Sequence, residues 1–115
     1  MSRTFKNETA LVTAMKKALK AELGGRWIKI HGGPYQEKGV SDILGCFNGR
    51  FVAIEVKMPG KEKKLTDLQE RFLKQVEKAG GIAFMSTDID EAIEKLKEVE
   101  KQCQKRKRTA SRKRK

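Results

Sequence analysis

Residues 39–57 read GVSDILGCFNGRFVAIEVK, and the way this stretch pairs with itself determines the architecture. Two apolar runs flank Asn48-Gly49, a dipeptide that favours a two-residue β-turn because both of its positions accept positive φ. With that turn, Phe47 faces Arg50, and counting outward brings Asp42 opposite Glu55. Directly opposed residues hold their β-carbons about 4.5–5.5 Å apart, a spacing at which like charges destabilise a sheet. A three-residue turn offsets the pair by one position. Side chains alternate along a strand, so Val52, Ile54 and Val56 share one face while Ala53, Glu55 and Lys57 share the other. Two carboxylates and one ammonium therefore meet on one side of the sheet. Two hard oxygen donors suit Mg²⁺ or Mn²⁺, and a cation between them turns repulsion into attraction. The same residues also fit an exposed face with an ordinary cross-strand salt bridge.

Upstream, NETALVTAMKKALKAEL repeats apolar residues at Leu11, Met15 and Leu19, with Val12 and Ala18 widening the stripe and Lys16, Lys17 and Lys20 largely opposite. This is the pattern of an amphipathic helix, and Gly24-Gly25 ends it. RWIKIH then predicts a short strand and GGPYQEKG a mobile loop. Downstream, MPGKEKK is a lysine-rich turn. A second helix starts at Thr66 with the stripe Leu68, Phe72, Val76 and Ala79, and Gly80-Gly81 closes it. IAFMS is a short apolar strand of the kind covered on both faces. A last helix from about Asp88 to Cys103 places Ile89, Ala92, Ile93, Leu96 and Val99 on one side, with Asp88 and Glu91 as a capping pair. The predicted class is α/β, in the order α-β-β-β-α-β-α. It has a mixed sheet flanked by helices, and the crossover through the second helix is long enough for parallel pairing.

Two more polar residues lie beside the acid pair in this order. Glu8 stands at the N-terminal end of the first helix's core-facing stripe, where an acid can reach the sheet or simply interact with the helix dipole. Gln69 edges the second helix's buried stripe and also completes a capping box with Thr66.

The 115 residues suffice for one domain, and the net charge is +12 from 27 Lys and Arg against 15 Asp and Glu. The last eleven residues, KRKRTASRKRK, hold eight of those positive charges; without them 19 basic residues face 15 acids, a balance of +4. The expected division is therefore a folded domain over 1–103 and a disordered basic tail over 104–115. The usual partner of such a tail is a polyanion, through counterion release from phosphates. A targeting tail or an acidic membrane surface is the other reading. Two cysteines, Cys46 and Cys103, and one histidine cannot complete a four-ligand zinc site within the chain. No apolar run approaches the roughly 20 residues that cross a bilayer, and MSRTFKNETA lacks the apolar centre of a secretory signal. The expectation is a cytoplasmic protein with no membrane partner.

Glu8, then GVSD, then IEVK, then a helix carrying Gln69, resembles the PD-(D/E)xK nuclease superfamily. The likeness is greatest to the VRR-NUC group (virus-type replication-repair nucleases), in its small stand-alone phage-type members. It covers roughly Glu8 to Ser86 and includes the element order. Ser41 departs from the pattern, since many relatives carry proline before the aspartate. The resemblance implies a restriction-endonuclease-like sheet and Mg²⁺- or Mn²⁺-dependent hydrolysis of DNA phosphodiesters, in a bacterial or phage-infected cell. It implies that Asp42 and Glu55 ligate the metal, with the Val56 carbonyl assisting and Glu8 binding through water or at a second ion. Lys57 is then the catalytic lysine, and Gln69 supports it or the attacking water. It further implies a homodimer acting on branched or duplex DNA, such as a Holliday junction in recombination or DNA repair.

Contacts to DNA are expected from His31, Tyr35 and Lys38 in the loop, from Lys61, Lys63 and Lys64, and from Lys105, Arg106, Lys107 and Arg108 in the tail. No base-reading helix is recognisable, so DNA structure rather than sequence is what such a protein reads. Two other readings remain open: a non-catalytic nucleic-acid-binding protein with a basic tail, and a structural or assembly protein.

Overall fold

The computed structural model describes residues 4–113, with side chains described over 4–102. Its elements are α1 (Glu8–Leu23), β1 (Arg26–Lys29), β2 (Ile43–Phe47), β3 (Arg50–Val56), a 3-10 turn (Glu62–Lys64), α2 (Asp67–Lys78), β4 (Ile82–Ser86) and α3 (Ile89–Lys113). One sheet holds the strands in the order β1-β2-β3-β4. The first three are mutually antiparallel, and β3 pairs β4 in parallel through the α2 crossover. The class and element order are those predicted.

The hairpin forms in the two-residue register. Phe47 pairs Arg50 and Ile43 pairs Ile54. Asn48 and Gly49 take φ of 50° and 78°, the pair of positive values a type I′ turn requires. Asn7 caps α1 by accepting a hydrogen bond from the Ala10 N–H at 2.9 Å. Gly24 ends the helix at φ 71°, its N–H returning to the Lys20 carbonyl. Thr66 and Gln69 form the full capping box at the start of α2, and Asp88 caps α3 by accepting from the Glu91 N–H.

One face of the sheet carries the main core. Leu11, Val12, Met15 and Leu19 of α1 and Ile89, Ala92, Ile93 and Leu96 of α3 pack on Trp27, Ile43, Phe47, Val52, Ile54, Val56 and Ile82. α2 packs on β3 and β4. Its one buried residue, Leu73, stands outside that cluster, as expected for a helix on the opposite face. α2 leaves part of that face uncovered, and Ile28 of β1 and Phe51 of β3 are exposed.

Trp27 lies across Gly45, its pairing partner. A β-carbon at Gly45 would stand 2.4 Å from the indole ring and 2.6 Å from the Arg26 carbonyl oxygen. The indole is held in place, since its N–H donates to the Gly24 carbonyl at 2.7 Å. Gly45→Ala is therefore expected to destabilise the fold by about 1–3 kcal/mol, the usual cost of overpacking, read as a lower urea midpoint.

Four local expectations are corrected. The inward stripe of α2 is Gln69, Phe72, Leu73 and Val76, while Leu68 and Ala79 are exposed. This set has the spacing i, i+3, i+4, i+7 and the one starting at Leu68 has i, i+4, i+8, i+11; both are helical, and the sheet selects between them. β1 ends at Lys29 rather than His31, although the Ile30 N–H still bonds the Asp42 carbonyl at 2.8 Å. β4 is an edge strand and its three central residues are only half-buried, where coverage on both faces was predicted. Finally, α3 continues to Lys113, past the predicted end at Cys103 and through most of the stretch assigned to a disordered tail. Residues 104–113 contain no glycine or proline and are mostly Lys and Arg, which propagate a helix once a packed segment has nucleated it.

Candidate active site

Asp42 sits one residue before β2, where the β2–β3 ladder stops at Ile43–Ile54. At the next step outward its side chain replaces the backbone as hydrogen-bond partner. Asp42 Oδ2 accepts from the Val56 N–H at 2.9 Å. That bond fixes the carboxylate across the hairpin and against Glu55, the arrangement the turn predicts.

Glu55 is 1% exposed. Burial, the negative charge of Asp42 and a hydrogen bond that the protonated Glu55 donates to the Asp42 carboxylate push its pKa up to about 8; Lys57 pulls it back and Glu8 pushes it further up. Glu55 Oε1 lies 3.8 Å from Lys57 Nζ. Its other oxygen, Oε2, is buried with no hydrogen-bond partner. Lys57 is itself 9% exposed, and its backbone N–H donates to the Ser86 carbonyl at 3.1 Å, which ties the end of β3 to β4.

Glu8 is the first residue of α1 and is half-buried. Its pKa is raised first by burial and then by the charge of Asp42, against a lowering by Lys57, which places it within electrostatic reach of the pair. Glu8 and Asp42 also wall a cleft of about 280 Å³ together with Lys29 and His31. Glu22, the other acid of α1, is exposed near the far end of the helix.

The structure thus brings Asp42, Glu55 and Lys57 together, with Val56 between the last two on the strand, and sets Glu8 within electrostatic reach of them. Gln69 is not joined to them. Its side-chain oxygen accepts from the Thr66 N–H at 2.9 Å, and among the described residues no hydrogen bond links it to Lys57. Tyr35 is fully exposed, and His31, Lys38, Lys61, Lys63 and Lys64 lie on exposed loops. Lys105, Arg106, Lys107 and Arg108 fall outside the described side chains. Ser41, read from the sequence only as a departure from proline, is 0% exposed and its hydroxyl has no partner. A small polar residue between Val40 and Asp42 carried no signal of that burial.

Among the described residues no three His, Cys, Asp or Glu side chains stand together at metal-ligand spacing. The donor set is two touching carboxylates with a backbone strand beside them, and Glu8 stands further off. Mg²⁺ needs no more than this, since it keeps several waters and commonly takes one or two carboxylates. The unpartnered Oε2 of Glu55 is the observation that favours a cation: a buried carboxylate oxygen without a donor is costly, and a metal ion satisfies it.

The fold and site define an α/β protein with an acid pair and a lysine where the two central strands part. No family model and no curated protein matches the sequence. Among the described residues no helix is long and apolar enough to cross a membrane.

Proposed function

We propose that this protein is a Mg²⁺- or Mn²⁺-dependent DNA endonuclease of the VRR-NUC type. The observation that carries the reading is the Asp42–Glu55 pair at the end of the hairpin, Glu55 buried and Asp42 half-buried, with Lys57 beside it and one Glu55 oxygen left without a partner. A fold rarely keeps two acids in contact without a counter-charge, and phosphodiester hydrolysis uses such a pair to hold the counter-charge at the reacting phosphate.

Asp42 and Glu55 hold the cation, with the Val56 carbonyl as a third oxygen. The ion, when bound, acidifies a water and neutralises charge on the phosphoryl oxygens. Lys57 donates to the attacking water or to the oxygen on which negative charge grows. Glu8 holds a water at the outer side of the site, as its half-buried position at the cleft wall allows. Gln69 keeps α2 capped, so its contribution to the site is the placement of that helix rather than contact.

The chain acts in a cytoplasm, on duplex or branched DNA. A second copy related by twofold symmetry supplies the second cut that a symmetric branched target requires. The test is incubation with supercoiled, linear, single-stranded and four-way-junction DNA in Mg²⁺, Mn²⁺ or EDTA. Cleavage in either metal and none in EDTA supports the reading. Binding without cleavage in every condition overturns it and leaves a non-catalytic nucleic-acid-binding protein.

On the same reading the basic C-terminus adds affinity without sequence preference. Deleting 105–115 is expected to flatten the dependence of log K on log salt, by roughly 0.9 for each phosphate that the tail neutralises. Fluorescence anisotropy across a salt series measures it, and an unchanged slope removes the tail from the interface.

A further inference from the structure

Lys16, Lys17 and Lys20 crowd one side of α1, at spacings of three and four residues that make like charges neighbours and cost helix stability. The fold relieves them only in part: Lys20 Nζ donates to the Gly25 carbonyl at 3.1 Å, and among the described residues no acid pairs with any of the three. Together with Thr13 and Arg26 they line a cleft of about 560 Å³ between α1 and β1, and no acid is among its lining residues. Elsewhere two helical lysines are paired with an acid one turn away, Lys74 with Glu70 and Lys95 with Glu91. Among the described residues, no carboxylate makes an ion pair with Lys16, Lys17, Lys20, Arg26 or Lys29. Glu22 does not help, because nine residues on from Thr13 is about two and a half turns, which puts it on the other side of the helix.

The position of the cleft points to what neutralises it. β1 is an edge strand, so the cleft opens at the side of the sheet. At one end Lys29 Nζ donates to Thr13 Oγ1 at 3.2 Å. Thr13 lines the basic cleft, while Lys29 lines the smaller cleft that holds Glu8 and Asp42. The two clefts therefore adjoin at this hydrogen bond, and positive charge runs along the α1–β1 edge away from the acid pair.

We propose that the α1–β1 cleft binds the phosphate backbone of the nucleic acid as it leaves the carboxylate site, with Lys16, Lys17, Lys20 and Arg26 as the phosphate contacts. Its direction from the acid pair rests on the nuclease reading; its charge does not. An anionic membrane is the poorer partner, because a helix lying on lipid needs an exposed apolar face. The apolar face of α1 is buried in the core, and none of the exposed large apolar residues Ile28, Tyr35, Phe51 and Leu68 belongs to α1.

The experiment compares the full-length protein with the triple variant Lys16→Gln, Lys17→Gln, Arg26→Gln, by anisotropy of a labelled DNA duplex in EDTA, between about 50 and 200 mM salt. A second triple variant, Arg71→Gln, Lys74→Gln, Lys78→Gln, removes the same charge from exposed positions of α2. The expected result is a salt slope lower by roughly two to three units and an affinity lower by about tenfold or more for the cleft variant, with the α2 variant close to the parent. An unchanged slope in the cleft variant overturns the proposal. So does an equal fall in both variants, which would report net charge alone, and so does retained DNA affinity with loss of binding to phosphatidylserine vesicles. Lys16 is half-buried and the other substituted positions are exposed, so circular dichroism is expected to show parental helix content. The conservative set Lys16→Arg, Lys17→Arg, Arg26→Lys is expected to restore the slope. Asp42→Asn separates the two claims. It is expected to abolish cutting while keeping the parental salt slope, and if it still cuts, the nuclease reading fails while the cleft result stands or falls on the slopes alone.

Discussion

Asp42→Asn, Glu55→Gln and Lys57→Ala are each expected to lower DNA cleavage by about 10³-fold or more, the scale on which removal of one preorganised charged group acts in an active site. DNA affinity in EDTA should stay near the parental value, since none of the three is placed as a phosphate contact. Asparagine at position 42 can still accept the Val56 N–H, so the hairpin end is retained and lost rate reports lost charge. Single-turnover nicking of supercoiled DNA measures the effect. An Asp42→Asn protein that nicks at the parental rate removes the acid pair from the chemistry.

The second large effect is on stability. Glu55 is raised from an ordinary 4.5 to about 8, chiefly by burial and then by Asp42. The folded chain therefore holds a proton there that the unfolded chain has released once the pH passes 4.5. Stability falls wherever the folded state binds more protons than the unfolded one. The contribution is full below about pH 4.5, declines through the interval up to about pH 8, and is absent above it. Its size is about 3–5 kcal/mol at 1.36 kcal/mol for each unit of pKa difference, shared with Asp42 because the two carboxyls titrate together. Glu55→Gln keeps the shape and loses the titration. Its urea unfolding free energy is expected to exceed the parental one at pH 8–9, and the difference should vanish toward pH 4–5. Adding Mg²⁺ at pH 8 should restore the parent and leave the variant unmoved, because the ion binds the ionised pair and displaces its proton. A parent–variant difference that is flat across this range would mean that Glu55 ionises freely in the fold.

The hairpin was legible because its signals are local and agree: Asn48-Gly49 demands one turn, the turn sets one register, and the register brings Asp42 to Glu55. The helix caps at Thr66 and Asp88 were legible for the same reason. The face of α2 was not, because two stripes that share Phe72 and Val76 both suit a helical period, and only the sheet beneath decides whether Gln69 and Leu73 or Leu68 and Ala79 complete it. The length of α3 was not legible either, since the mutual repulsion of its last basic residues and their helix propensity pull in opposite directions. At the site, Glu8 could be placed from its position at the head of the apolar stripe. Gln69 could not be settled, since one glutamine serves a helix cap and an active site equally well in text. The basic cleft was only half visible: the lysines of α1 are plain in sequence, but the approach of Arg26 and Lys29 from β1 depends on how the strand lies along the helix.

The hydrogen bond from Val56 to Asp42 has a bearing on metal choice. With Oδ2 engaged by the main chain, Asp42 would have mainly Oδ1 to offer a cation and would serve as a monodentate donor. Six well-ordered positions with water filling the gaps can be built around such a ligand, which is the preference of Mg²⁺. Ca²⁺ asks for six to eight oxygens and often for a carboxylate that gives both of its own. On the nuclease reading, a single backbone amide thus tilts this pocket toward the smaller ion before any substrate arrives.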